Sequence, residues 1–160
     1  MEVRFAYADP PYIGCSHLYP EKQEVDHRQL IGMLVSEFTD GWALSCSSPS
    51  LAFLLPLCPG DVRVMAWVKP FAAFKANVGV AYAWEPVIVR GGRKRTREQP
   101  TVRDWHSEVI TLKRGLVGAK PDSFCRWLLD VLNYQDGDEI IDLYPGTGTM
   151  TDAAKQMRLA

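Results

Sequence analysis

The nine residues Ile140-Ile141-Asp142-Leu143-Tyr144-Pro145-Gly146-Thr147-Gly148 decide how the rest of the chain is read. Asp136-Gly137-Asp138 turns the chain into an apolar run, so a strand is expected over Glu139 to Tyr144. Pro145 removes a backbone donor and ends it. Gly146 and Gly148 then permit a turn in which backbone can approach a ligand closely. A helix from Met150 to Arg158 follows, and its N-terminus offers unpaired N–H groups to anionic atoms. Strand, glycine turn and helix form a unit of α/β architecture. A lone Gly-x-Gly is more often a plain turn than a binding loop, so a second motif has to accompany it.

Working outward, Asp122 to Leu132 sets Phe124, Trp127, Leu128, Val131 and Leu132 on one helical face. Near the other end, Glu2 to Ala8 reads as a strand stopped by Asp9-Pro10-Pro11, and Asp26 to Phe38 as a helix with Asp26 as N-cap. Trp42 to Cys46 is expected to be a buried strand and Ser50 to Leu57 a short helix. Val62 to Val68 and Ala83 to Arg90 are expected to be further strands. Pro100 to Arg114 has no clear period and reads as irregular. Strands separated by helices predict an α/β protein with a mostly parallel sheet covered by helices on both faces. At 160 residues it is expected to be one domain, 1–160, burying roughly two thirds of its unfolded surface.

In such sheets ligands bind beyond the carboxyl ends of the strands. Asp9-Pro10-Pro11-Tyr12 and Pro145 to Gly148 both fall there, which makes a shared site the working expectation. The tetrapeptide supplies what an exocyclic amino nitrogen of adenine or cytosine needs. Its lone pair is delocalised into the ring, so its N–H protons must be accepted to turn it toward a methyl donor. The Asp9 carboxylate and the Pro10 carbonyl are two such acceptors, Pro11 stiffens the loop, and the Tyr12 ring can stack on the base. Asp and Pro also favour ordinary turns, which is the plain alternative. Two glycines short of a dinucleotide fingerprint suit S-adenosylmethionine, which carries a carboxylate but no phosphate. Asp142 is placed either to orient that ligand's amino group or to hydrogen-bond the glycine loop.

The pairing of Asp9-Pro10-Pro11-Tyr12 with Asp142 to Gly148 resembles the S-adenosylmethionine-dependent N6-adenine/N4-cytosine amino-methyltransferases. Gly118-Ala119-Lys120-Pro121-Asp122-Ser123-Phe124 is similar to a third element of that family, which lines the cofactor pocket. The order here, catalytic loop first and glycine loop last, is the permuted order of one class. It is also similar to eukaryotic mRNA adenosine methyltransferases with an Asp-Pro-Pro-Trp loop. Asp40 to Ser45, Trp67 to Phe71 and Trp84 to Val89 resemble segments of short phage and actinobacterial DNA methylase-like proteins. The resemblance implies a minimal, permuted Rossmann-like methyltransferase fold, with Asp9, Pro10, Pro11 and Tyr12 catalytic. It implies Lys120, Phe124, Asp142, Tyr144, Pro145, Gly146, Thr147 and Gly148 at the cofactor. The implied reaction is methyl transfer to adenine N6 in DNA, with cytosine N4 or RNA adenine as alternative acceptors. The chain stops about a dozen residues after the glycine motif, where larger relatives continue to an acid that binds the cofactor ribose. The adenosine end is therefore expected to be more exposed, weakly bound or covered by a second subunit of a homodimer. The same shortness motivates a rival reading, a noncatalytic nucleic-acid-binding or partner subunit that keeps the fold.

A net charge of −1 argues against histone-like binding but leaves room for a local basic face. Arg90, Arg93, Lys94, Arg95 and Arg97, in a loop at about 90–99, form the densest cluster and are the expected phosphate contacts, with Lys113 and Arg114 as a second group. A solvated loop is the simpler alternative. Core packing is the simpler role for Tyr7 and Trp84, a rim position for Lys69, and a surface role for His17. The four cysteines are scattered and fit a reducing interior, and Cys15 with His17 lacks the second ligand pair of a zinc site, so no metal is expected. With no signal-like or membrane-length apolar run, a cytoplasmic protein, in a host cell if phage-encoded, is expected.

Overall fold

The computed structural model describes residues 2–70, 76–108 and 119–157. Gly118, Lys113, Arg114 and Phe71 lie outside them. The elements run β1 (Arg4–Ala8), α1 (His27–Glu37), β2 (Gly41–Ser45), α2 (Leu51–Leu54), β3 (Arg63–Val68), β4 (Trp84–Gly91), β5 (Trp105–Ser107), α3 (Asp122–Leu132), β6 (Glu139–Asp142) and α4 (Thr149–Met157). Single 3₁₀ turns flank α2 at Ser48–Ser50 and Leu55–Leu57. These elements fall where the sequence places them, except that Pro100 to Arg114 contains the edge strand β5. Three residues, two of them exposed, are too short to show a period.

The six strands form one sheet in the order β5-β3-β4-β2-β1-β6. β1 pairs in parallel with both β2 and β6, and β3 with β5, whereas β4 is antiparallel to both β2 and β3. Five strands thus point one way and β4 alone is reversed. The register sets Ala8 beside Leu44 and Tyr7 beside Asp142. The carboxyl ends of β1, β2 and β6 therefore open onto one edge, and β4 begins at that edge and ends at the opposite one.

Alternation along the strands fills both faces. Phe5, Tyr7, Ala43, Trp67, Val87 and Val89 face a core completed by α3 and α4. Ala6, Ala8, Trp42, Leu44 and Ile88 face the other, completed by α1 and α2. This two-sided burial explains why β2 is buried at all five positions. Burying Leu34 on one face or Leu128 on the other contributes about 1.5–3 kcal/mol each. The Asp26 carboxylate accepts from the Gln29 amide at 3.0 Å, which caps α1 as its sequence predicts. Asn133 ends α3 in a left-handed conformation (φ 54°) that asparagine tolerates.

Candidate active site

β1 delivers Asp9 to the sheet edge, and the two prolines stiffen the chain that follows. The Tyr12 carbonyl accepts from the Cys15 amide at 2.8 Å, closing the loop as a turn. Lys120 Nζ donates to both Asp9 oxygens, at 3.0 and 3.2 Å, and to Tyr12 Oη at 3.2 Å. Tyr12 Oη donates in turn to Glu85 at 2.9 Å, and Lys69 Nζ donates to the other Glu85 oxygen at 2.9 Å. Lys120 Nζ also stands 3.5 Å from Glu85. Two carboxylates and two ammoniums therefore balance in a mostly buried cluster.

Burial pushes the Asp9 carboxyl above its ordinary value, and Lys120 offsets that only in part. For Glu85 burial acts in the same direction, yet Lys120 and Lys69 together hold it below the ordinary value. Burial alone would lower the Lys120 ammonium, but Asp9 and Glu85 outweigh it and keep Lys120 charged. Two carboxylates with different proton affinities thus stand around one lysine, with Asp9 the more easily protonated.

Beside this cluster lies a cavity of about 590 Å³. Asp9, Tyr7 and Lys120 form one wall, and Asp142 to Thr147 wrap another. In that turn Gly146 adopts φ +49°, and the Gly148 amide donates to the Pro145 carbonyl at 2.7 Å. α4 begins directly beyond it. Asp142 Oδ1 accepts from the Tyr144 amide at 3.2 Å, so this residue does hydrogen-bond the glycine loop. Burial, reinforced by Asp9, raises its carboxyl to about 6. A bound amine would find two carboxylates here, a bound carboxylate would find the helix end, and Tyr7, Tyr144, Pro145 and Met150 offer apolar surface.

The structure thus brings Asp9, Pro11, Lys120, Asp142, Tyr144, Pro145, Gly146 and Thr147 to one cavity. Pro10 is buried, Gly148 closes the turn through its bond to Pro145, and Tyr12 lines a second cleft. Phe124, expected at the cofactor, is fully buried against Tyr7, Trp67 and Trp127 and does not border the cavity, whereas Cys125, buried in the same core, does. Lys69 is half-buried and paired with Glu85, and both border the second cleft. Trp84 is not core, being 40% exposed at the second cleft.

The expected phosphate contacts lie away from the cavity. Because β4 runs backwards, Arg90 to Arg97 leave it at the sheet edge opposite the cavity. There Arg90 pairs with Asp61 at 2.8 Å, and Arg93 with the buried Asp138. Arg95 donates to the carbonyls of Asp130 and Pro100. The Asn133 side chain donates to the carbonyls of Arg93 and Lys94. The segment fastens the C-terminal end of α3, where cations complement exposed carbonyls. For Lys94 and Arg97 the structure shows no such bond among the described residues.

Sequence reading missed Glu85, Cys125, Met150 and the whole segment Tyr19 to Val25, which forms a third wall of the cavity. That segment carries no periodicity. The pairing of Glu85 with Lys69 crosses between two strands and has no sequence signature.

No protein-family profile matches the chain, and no curated protein sequence does. Among the solved structures similar to it are two that align with 99% of the chain. The M1.HpyAVI–SAM complex superposes with a TM-score of 0.67 at 14% identity over 79% of its own chain. M1.HpyAVI alone gives 0.62 at 12% identity over 77%. At such identities the likeness is one of fold, a Rossmann-like α/β sheet with helices on both faces.

Proposed function

We propose that this chain transfers a methyl group from S-adenosylmethionine to an exocyclic amino group of a nucleic-acid base, adenine N6 in DNA being the leading acceptor. The observation that carries the reading is that the Asp9 loop and the Asp142–Gly148 turn, more than 130 residues apart, border one cavity. The residues fit the donor: Asp142 for its amine, the start of α4 for its carboxylate, and Tyr7, Tyr144 and Met150 for its apolar parts. When bound, S-adenosylmethionine supplies a methyl group on a good leaving group, so the protein has chiefly to align the acceptor. Asp9 and the Pro10 carbonyl accept the N–H protons, and the Tyr12 ring holds the base plane. As the nitrogen gains its methyl group it becomes positive, and Asp9 stabilises that charge and takes the departing proton. Its raised proton affinity suits this last role.

Lys120 takes one lone pair on each Asp9 oxygen, so an entering amine shares the carboxylate with that ammonium or displaces it. Glu85, already 3.5 Å away, can receive it. Replacing Lys120 with methionine removes the cation that partly offsets burial of Asp9. The acidic limb of the kcat profile is then expected to move to higher pH. An unmoved limb would show that Asp9 does not titrate in the reaction.

Asp142 gives a second pH dependence. Its carboxylate has to be ionised to hold an ammonium, and its proton comes on at about pH 6. Cofactor affinity, measured by calorimetry, is therefore expected to be level above that pH and to fall roughly tenfold for each unit below it. Asp142→Asn is expected to bind weakly with a flat profile. A wild-type affinity constant from pH 5 to 7 would remove Asp142 from the amine site.

The decisive test is tritium transfer from labelled cofactor to DNA and RNA, followed by mass spectrometry of the nucleosides to separate N6-methyladenine from N4-methylcytosine. The hold of Lys120 on Asp9 also favours a second reading, a noncatalytic partner subunit. Cofactor binding without transfer to any nucleic acid would favour that reading, as would no cofactor binding at millimolar concentration.

A further inference from the structure

We infer that the cleft on the far side of Tyr12 is a stacking platform for an unpaired stretch of polynucleotide, so that the acceptor strand is bound single rather than in duplex. The inference rests on the function proposed above and extends it to the state of the substrate. The cleft has a volume of about 660 Å³, and Tyr12, Phe53, Tyr82 and Trp84 line it together with the Ser47–Ser50 corner. Its size lies in the roughly 300–1,000 Å³ range of small-ligand sites. Phe53 is 51% exposed, Tyr82 56% and Trp84 40%. Three large rings left in solvent around one depression are unusual for a chain that buries Trp42, Trp67 and Phe124 completely or nearly so. Tyr82 and Trp84 stand two residues apart at and just before the start of β4, and the fold brings Phe53 of α2 to the same cleft.

Stacking on one target base requires one ring, and Tyr12 is in place for that. Its hydroxyl is fixed by Glu85 and Lys120, and Lys120 Nζ lies 5.5 Å over its ring centroid. The other three rings exceed the needs of a single base and suit its neighbours along a strand. In duplex those neighbours are already stacked and paired, and meeting these rings would require melting them as well as extruding the target. In a single strand their faces are free, and aromatic stacking accepts any base. Electrostatics points the same way. Lys69 at the cleft is already paired with Glu85, and Arg90, Arg93 and Arg95 are tied down at the opposite sheet edge.

Fluorescence anisotropy on the full chain, with S-adenosylhomocysteine present, tests this using labelled single-stranded DNA, single-stranded RNA and duplex DNA of one sequence. A single strand is expected to bind more tightly than duplex, and comparison of the DNA and RNA arms identifies the sugar. Trp84→Ala and Phe53→Ala are each expected to weaken strand binding roughly five- to 150-fold. Cofactor affinity should be unchanged in both. Trp84→Phe should retain most of the binding, whereas Trp84→Leu, which restores bulk without a ring face, should not. A duplex bound as tightly as the strand would overturn the inference, as would a Trp84→Leu protein that binds like wild type. Because binding is read without turnover, these results stand apart from failure of methyl transfer, which bears on the proposed reaction itself.

Discussion

Asp9→Ala is expected to remove methyl transfer while the protein stays folded and keeps its hold on the cofactor. In the proposed reaction the carboxylate is the group that meets the amine as it becomes positive, and deleting one preorganised group of this kind costs about 10²–10³-fold in kcat. Cofactor affinity should change little, since Asp142 and the glycine turn remain. Asp9 is also the main partner of a buried lysine. Removing one member of a buried ion pair costs about 3–5 kcal/mol when the other is left unpaired. Here the loss should fall below that range, because Lys120 Nζ already lies 3.5 Å from Glu85. Asp9→Asn separates the two effects. It keeps an acceptor and the shape of the loop but loses the charge, so activity should still fall by a large factor with stability closer to wild type. Calorimetry and label transfer on the same preparations check both statements. If Asp9→Asn turns over within a few-fold of wild type, the charge of Asp9 is not what stabilises the transition state.

Asp138→Ala is expected to have the largest effect on stability. Asp138 is 2% exposed and accepts from the Val3 amide at 3.2 Å and the Gln135 amide at 2.9 Å, besides pairing with Arg93. One carboxylate thus joins the start of β1, the turn before β6 and the segment leaving β4. Alanine would leave two amides and a half-buried guanidinium without it, at a cost of about 3–5 kcal/mol. For a chain of this size, each kcal/mol shifts Tm by roughly 2–4 °C. Thermal unfolding followed by circular dichroism should therefore show a fall of about 6–20 °C. Asp138 stands at the edge away from the cavity, so kcat measured well below the transition should hardly change. A Tm within 2–3 °C of wild type would mean that water replaces the carboxylate at this corner (each kcal/mol being worth roughly that much).

The two effects sit at opposite ends of the sheet, and the way each end is built separates what was legible from what was not. The sequence by itself carried every strand and helix with a period. α3 has its apolar stripe, α1 its aspartate cap, and β1 and β6 their proline stops, all consequences of residues within a few positions of one another. It also carried the two loops at the cavity, because proline and glycine act on their own backbone. β5 escaped notice because three residues are too few for a period.

What only the tertiary structure decided is direction and phase. The reversal of β4 brings its first residues, Trp84 and Glu85, to the edge that holds the cavity and sends the arginines at its far end away from it. No local pattern distinguishes a parallel from an antiparallel strand buried on both faces, since both are apolar runs. The arginines expected to contact phosphate are therefore carried away from the cavity by the same reversal that brings the unseen Glu85 to it. Phe124 and Cys125 differ by one step around a helix and are both buried, and contact of Phe124 with Tyr7 and Trp67 leaves Cys125 as the one that borders the cavity. Short-range chemistry wrote the loops into the sequence, and pairing between distant strands determined which charges would meet them.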